Sequence, residues 1–64
     1  MDALPYQQAL DRIRAEFVEM PGMRLTLEQA HRLSGVATAI CRVVLEDLVR
    51  AGFLYVSRGR YAKA

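Results

Sequence analysis

Nine cations and seven carboxylates are distributed through 64 residues, and their distribution is the first chemistry the chain offers. Residues 1 to 22 carry Arg12 and Arg14 against Asp2, Asp11, Glu16 and Glu19, a balance of −2. Residues 23 to 64 carry Arg24, Arg32, Arg42, Arg50, Arg58, Arg60 and Lys63 against Glu28, Glu46 and Asp47, a balance of +4. The second stretch is therefore suited to an anionic partner. The other reactive side chains are isolated. Cys41 has no second cysteine to pair with, and His31 has no second histidine, cysteine or carboxylate at metal-ligand spacing. A glycine-rich phosphate loop, a nucleophile elbow and paired catalytic carboxylates are all missing from the sequence. The expectation is a protein that is not an enzyme and uses no cofactor and no metal.

The elements that must carry these cations can be read from periodicity. Tyr6, Leu10, Ile13 and Phe17 recur at helical spacing, which predicts a first helix from about Pro5 to Val18. Asp2 or Ala3 precedes it, Pro5 suits its first turn, and Met20-Pro21-Gly22 stops it. Met23-Arg24-Leu25 reads as a short extended piece. Thr26 with Gln29 three residues later reads as a capping box opening a second helix over Leu27 to Ser34. Its inner stripe is expected to be Leu27, Ala30 and Leu33, with His31 at the edge and Gly35 as the left-handed stop. From Thr38 to about Ala51 a third helix turns Cys41, Val44, Leu45 and Leu48 inward, so Cys41 is expected to be a buried, inert thiol. Gly52 ends this helix. Phe53 to Val56 and Arg60 to Ala62 are expected to pair as a hairpin around a Ser57-Arg58-Gly59 turn.

At 53% hydrophobic, 25% charged and a mean hydropathy of +0.07, the composition is that of a folded globular domain, expected to be a single one over residues 1–64. No apolar run approaches the roughly 20 residues of a membrane span. Met1 to Tyr6 is not a basic region followed by an apolar stretch, so the expected compartment is the cytoplasm. The five aromatics, Tyr6, Phe17, Phe53, Tyr55 and Tyr61, fit the core stripes and the hairpin better than a base-stacking platform.

Helix, tight turn, helix, preceded by one helix and followed by a hairpin, is the order of a winged helix-turn-helix. Two stretches carry a closer likeness. Leu25-Thr-Leu-Glu-Gln-Ala-His-Arg-Leu-Ser-Gly-Val36 and Val44-Leu-Glu-Asp-Leu-Val-Arg-Ala-Gly-Phe-Leu54 resemble winged-helix regulators, whose recognition helix typically ends in leucines, a glycine and an apolar pair. Arg14 to Gly22 is similar to the first helix of small uncharacterised bacterial winged-helix proteins. The resemblance implies a mainly α fold with a small β-hairpin, three helices in all, that binds duplex DNA in transcriptional regulation.

On that resemblance the third helix enters the major groove with Thr38, Ala39, Ile40, Arg42, Val43 and Glu46 outward. Arg42 can offer two parallel donors to guanine, Ile40 and Val43 can touch thymine methyls, and Thr38 can hold a phosphate at the helix N-terminus. Where the family often has a polar cap this chain has Ala37, which makes Thr38 the candidate N-cap. Arg58 and Arg60, with Lys63 beyond, form a short basic wing that joins Arg32 in holding phosphates; the plainer reading is a solvated turn and tail. The alternative function is a protein-interaction module, homodimerising in one version, through Ile40, Val43 and Val49 on or beside the outer side of the third helix.

Overall fold

Burial of a few large apolar side chains decides how the helices meet. In the computed structural model, which describes residues 3–64, the elements are α1 (Ala3–Glu19), β1 (Arg24–Leu25), α2 (Leu27–Ser34), α3 (Thr38–Arg50), β2 (Leu54–Ser57) and β3 (Arg60–Lys63). Asp2, a candidate for the residue preceding α1, lies outside the described residues. Ala9, Ile13 and Phe17 descend one face of α1 onto Cys41, Val44, Leu45 and Leu48 of α3, and Ala30 of α2 and Leu54 of β2 close the cluster. Phe17, Cys41, Val44 and Leu45 retain no exposed surface. Each fully buried aliphatic or aromatic side chain contributes roughly 1.5–3 kcal/mol of transfer free energy, so this cluster dominates the stability of so short a chain.

The helix ends are set by local chemistry. In α2 the Thr26 hydroxyl accepts from the Gln29 amide at 3.1 Å while the Gln29 side chain accepts from the Thr26 amide at 2.9 Å, which completes the capping box. Gly35 follows with φ 73°, a conformation that costs a side-chain-bearing residue about 1 kcal/mol, and its amide donates to the His31 carbonyl at 2.9 Å. In α3 the amides of Gly52 and Phe53 reach back to the carbonyls of Val49 and Leu48, both at 3.0 Å, and so satisfy carbonyls the helix leaves free. Helix α1 runs slightly longer at both ends than its apolar stripe predicts, and Pro21 and Gly22 form the turn after it.

The strands form one antiparallel sheet in the order β1-β3-β2. Arg24 pairs with Ala62 and Leu25 with Tyr61 on one side of β3; Tyr55 pairs with Ala62 and Ser57 with Arg60 on the other. The hairpin of the sequence reading is thus joined by a third strand, and its turn is shorter than expected. Ser57 and Arg60 belong to the strands, and Arg58 and Gly59 alone form the tip. Among the described residues the layout is three helices against a small three-stranded antiparallel sheet, a winged-helix-like arrangement.

Three expectations about packing need correction. Leu33 is 49% exposed, and Ser34 takes the inward position in its place at 4%. Ser34 is small enough for the turn beside α1, and its hydroxyl donates to the Ala30 carbonyl at 2.7 Å, so the buried oxygen is satisfied. Tyr55 is 45% exposed, since residue 55 points to the sheet face that no helix covers. The N-cap of α3 is Ala37 with no side-chain bond, and Thr38 is the first residue of the helix itself.

Tyr6 donates a hydrogen bond from its hydroxyl to Asp47 of α3, joining the N-terminal part of α1 to the core helix. That bond, then desolvation and the carboxylate's charge, raise the Tyr6 hydroxyl above its ordinary value of 10.0. Since the raised value belongs to the folded state, the linked stabilisation is complete below about pH 10 and lost as pH climbs through the folded-state value. Chemical denaturation between pH 9 and 11 should therefore show a fall in stability that is shallower in Tyr6→Phe than in the parent protein. Leu48, 5% exposed, is the last inward residue of the α3 stripe. Leu48→Ala should cost about 2–5 kcal/mol in a urea titration, most of the stability of a domain this size.

Candidate nucleic-acid interface

The side chains that could meet a ligand are oriented by what α3 must bury. With Cys41, Val44, Leu45 and Leu48 turned inward, Thr38, Ala39, Arg42, Val43, Glu46 and Arg50 remain exposed along the opposite side. Desolvation raises the Cys41 thiol above its ordinary value, as expected of a cysteine packed among aliphatics. The turn that leads into α3 is held from three directions. Arg12 of α1 donates to the Ser34 carbonyl at 3.0 Å, the Val36 amide donates to the Ser34 hydroxyl at 3.2 Å, and His31 Nδ1 lies 2.6 Å from the Val36 carbonyl. A carbonyl can only accept, so His31 carries its proton on Nδ1 and acts as a fastener of the turn. Edge packing alone did not suggest this role.

Not all the cations expected to face a ligand are equally free. Arg42, Arg58 and Arg60 are exposed, and among the described residues none of them makes an ion pair, although Glu46 lies one helical turn beyond Arg42. Arg32 is exposed but stands 3.9 Å from Glu28 on the same helix. Lys63 is not beyond the wing as expected. It ends β3 at the far side of the sheet from the tip, half-buried, with its ammonium 5.5 Å from the centre of the Phe53 ring. Arg14 of α1 lies 5.1 Å from the same ring, so Phe53 serves two cations as a packing partner. Ile40 and Val49 are half-buried and pack against the core; of the three apolar residues expected outside, only Val43 is exposed, at 46%.

The hairpin tip is a two-residue turn with φ 53° at Arg58 and φ 77° at Gly59, the paired left-handed geometry that follows the twist of the strands. Glycine adopts it freely. Arginine does not, and asparagine is the residue that ordinarily suits the first position. The exposed tip therefore carries a cation in a backbone conformation that costs it about 1 kcal/mol.

Register brings two further residues to this end of the sheet. Arg24 and Tyr55 both stand opposite Ala62, and with Ser57, Arg58 and Arg60 they line one concavity on the uncovered face. Neither was singled out from the sequence as a site residue. The available signal was the alternation of β3, which puts Arg60 and Ala62 on the same side. Among the described residues no three of the metal-binding side-chain types gather as a metal site would require, and no helix is long and apolar enough to cross a membrane. Compared with known protein families, curated proteins and solved structures, the chain matches none of them.

The strain at residue 58 makes a measurable prediction. Arg58→Asn should raise the melting temperature, by the few degrees that about 0.5–1 kcal/mol represents in a small domain, while weakening binding to any polyanion. Thermal denaturation and a heparin-column elution profile check the two halves separately.

Proposed function

We propose that this domain binds duplex DNA, with α3 in the major groove and the β2–β3 hairpin along the backbone as a short wing. The observation that carries the reading is that Arg42, Arg58 and Arg60 are exposed, and without an ion-pair partner among the described residues, on the two elements that a winged helix presents to DNA. The guanidinium of Arg42 offers the parallel donors that guanine accepts in the major groove. The cap of α3 supports it as well: Ala37 supplies no side-chain acceptor, so the first amides of the helix are left for a phosphate. Thr38, Ala39 and Val43 then line the helix surface beside Arg42, with the methyl groups of Val43 available to thymine. Arg58 and Arg60 hold phosphates. Sequence-specific regulation of transcription, in the cytoplasm, is the setting this reading implies.

A second reading rests on Val43 and Leu33, exposed apolar side chains of α3 and α2. They would suit a protein surface, including that of a second copy, better than they suit phosphates.

Titration of a mixed duplex library at increasing salt separates the two. DNA binding through three or four neutralised phosphates gives a log–log salt slope of about −3, and Arg42→Ala should cost about 1–3 kcal/mol on the preferred sequence without moving the melting temperature. Absence of salt-dependent duplex binding, together with a dimer that Val43→Glu dissociates, would replace the first reading by the second.

A further inference from the structure

The uncovered face of the sheet carries chemistry that a groove-reading helix does not need. Arg24 on β1 and Tyr55 on β2 flank Ala62 of β3, and Arg60 and Ser57 form the next cross-strand pair on the same face. With Arg58 they enclose a concavity about two strand spacings, or roughly 10 Å, across, whose floor is the methyl of Ala62. Three of its six lining residues are arginines, none is a carboxylate, and among the described residues none of the three arginines has an ion-pair partner. Tyr55 is 45% exposed beside them.

From this geometry we infer that the outer sheet face binds an unpaired nucleic-acid strand, with phosphates on Arg24, Arg58 and Arg60 and one base stacked on Tyr55. The cations select an anion. The aromatic ring selects what kind: in a duplex each base is covered above and below by its neighbours, whereas an unpaired strand offers a free π-face to a side chain. The small floor at Ala62 lets a base approach the backbone of the sheet, and the Ser57 hydroxyl can bond to a base edge or a phosphate without imposing a sequence. The site shares Arg58 and Arg60 with the proposed wing but does not require α3 to enter a groove.

The test is fluorescence anisotropy of the full chain, at low salt, with a labelled oligothymidylate about 12 nucleotides long and, separately, a duplex. Tyr55→Ala should weaken oligothymidylate binding about tenfold and Tyr55→Phe should leave it within about twofold, since stacking needs the ring and not the hydroxyl. Arg24→Ala should weaken the same binding and lower its salt slope by about one. Arg42→Ala should leave it unchanged. Circular dichroism melts confirm folding, and Arg24→Ala decides the matter if Tyr55→Ala does not fold. An oligothymidylate that does not bind, or one that both Arg24→Ala and Tyr55→Ala bind as the parent does, overturns the inference. Loss of duplex binding alone in Arg42→Ala belongs to the helix and leaves the sheet site standing.

Discussion

The rotation of α3 about its own axis is the constraint on which the rest of this structure depends. Four side chains, Cys41, Val44, Leu45 and Leu48, occupy the inward side of the helix and meet Ile13 and Phe17 across the core. In a close-packed interior such a stripe has one well-filled setting, because turning the helix by a single residue would expose a leucine and bury a charge. Arg42 follows Cys41 directly and so is carried about 100° away from the core line. The outward direction of the candidate base reader is thus a by-product of burying its neighbour.

The same economy runs through the turn between α2 and α3. A three-residue connection leaves little freedom, and the remainder is removed by Arg12, His31 and Ser34, each bonded to backbone of the segment or to its edge. No buried side-chain nitrogen or oxygen among the described residues lacks a partner. Polar groups here are fasteners, and they give a small domain the rigidity that its few buried apolar residues could not supply alone. The half-exposed Phe53 ring, approached by Arg14 and Lys63, does similar work where α1 meets the last strand.

Much of this was legible before any coordinates. The three helices, their stops, Ile13 and Phe17 of α1 and the inward residues of α3 follow from spacing and from Pro21, Gly35 and Gly52, whereas the burial of Ala9, beside the half-buried Tyr6 and Leu10 of the expected stripe, does not. What escaped has physical causes. In α2 the larger apolar residue, Leu33, was the natural choice for the inside, but closeness to α1 favoured Ser34, whose hydroxyl satisfies itself on the helix backbone. The pairing of β1 with β3 joins residues separated by more than thirty-five positions, and no local pattern encodes such a partner. Arg24 becomes a neighbour of Tyr55 and Arg60 only through that pairing. Lys63 looked like part of a basic tail until the register extended β3 to include it.

The direct test of the account is therefore of α3 itself, by the reactivity of its cysteine. Treated with a disulfide reagent under native conditions, Cys41 should react only through transient opening of the fold. For a domain stable by about 4 kcal/mol that is on the order of a thousandfold more slowly than in denaturant. In Cys41→Ser combined with Arg42→Cys, the thiol one position along should react at the rate of a free one. A Cys41 that is labelled in the native protein as fast as in the unfolded chain would mean that the helix faces the other way, and with it every outward assignment made for α3.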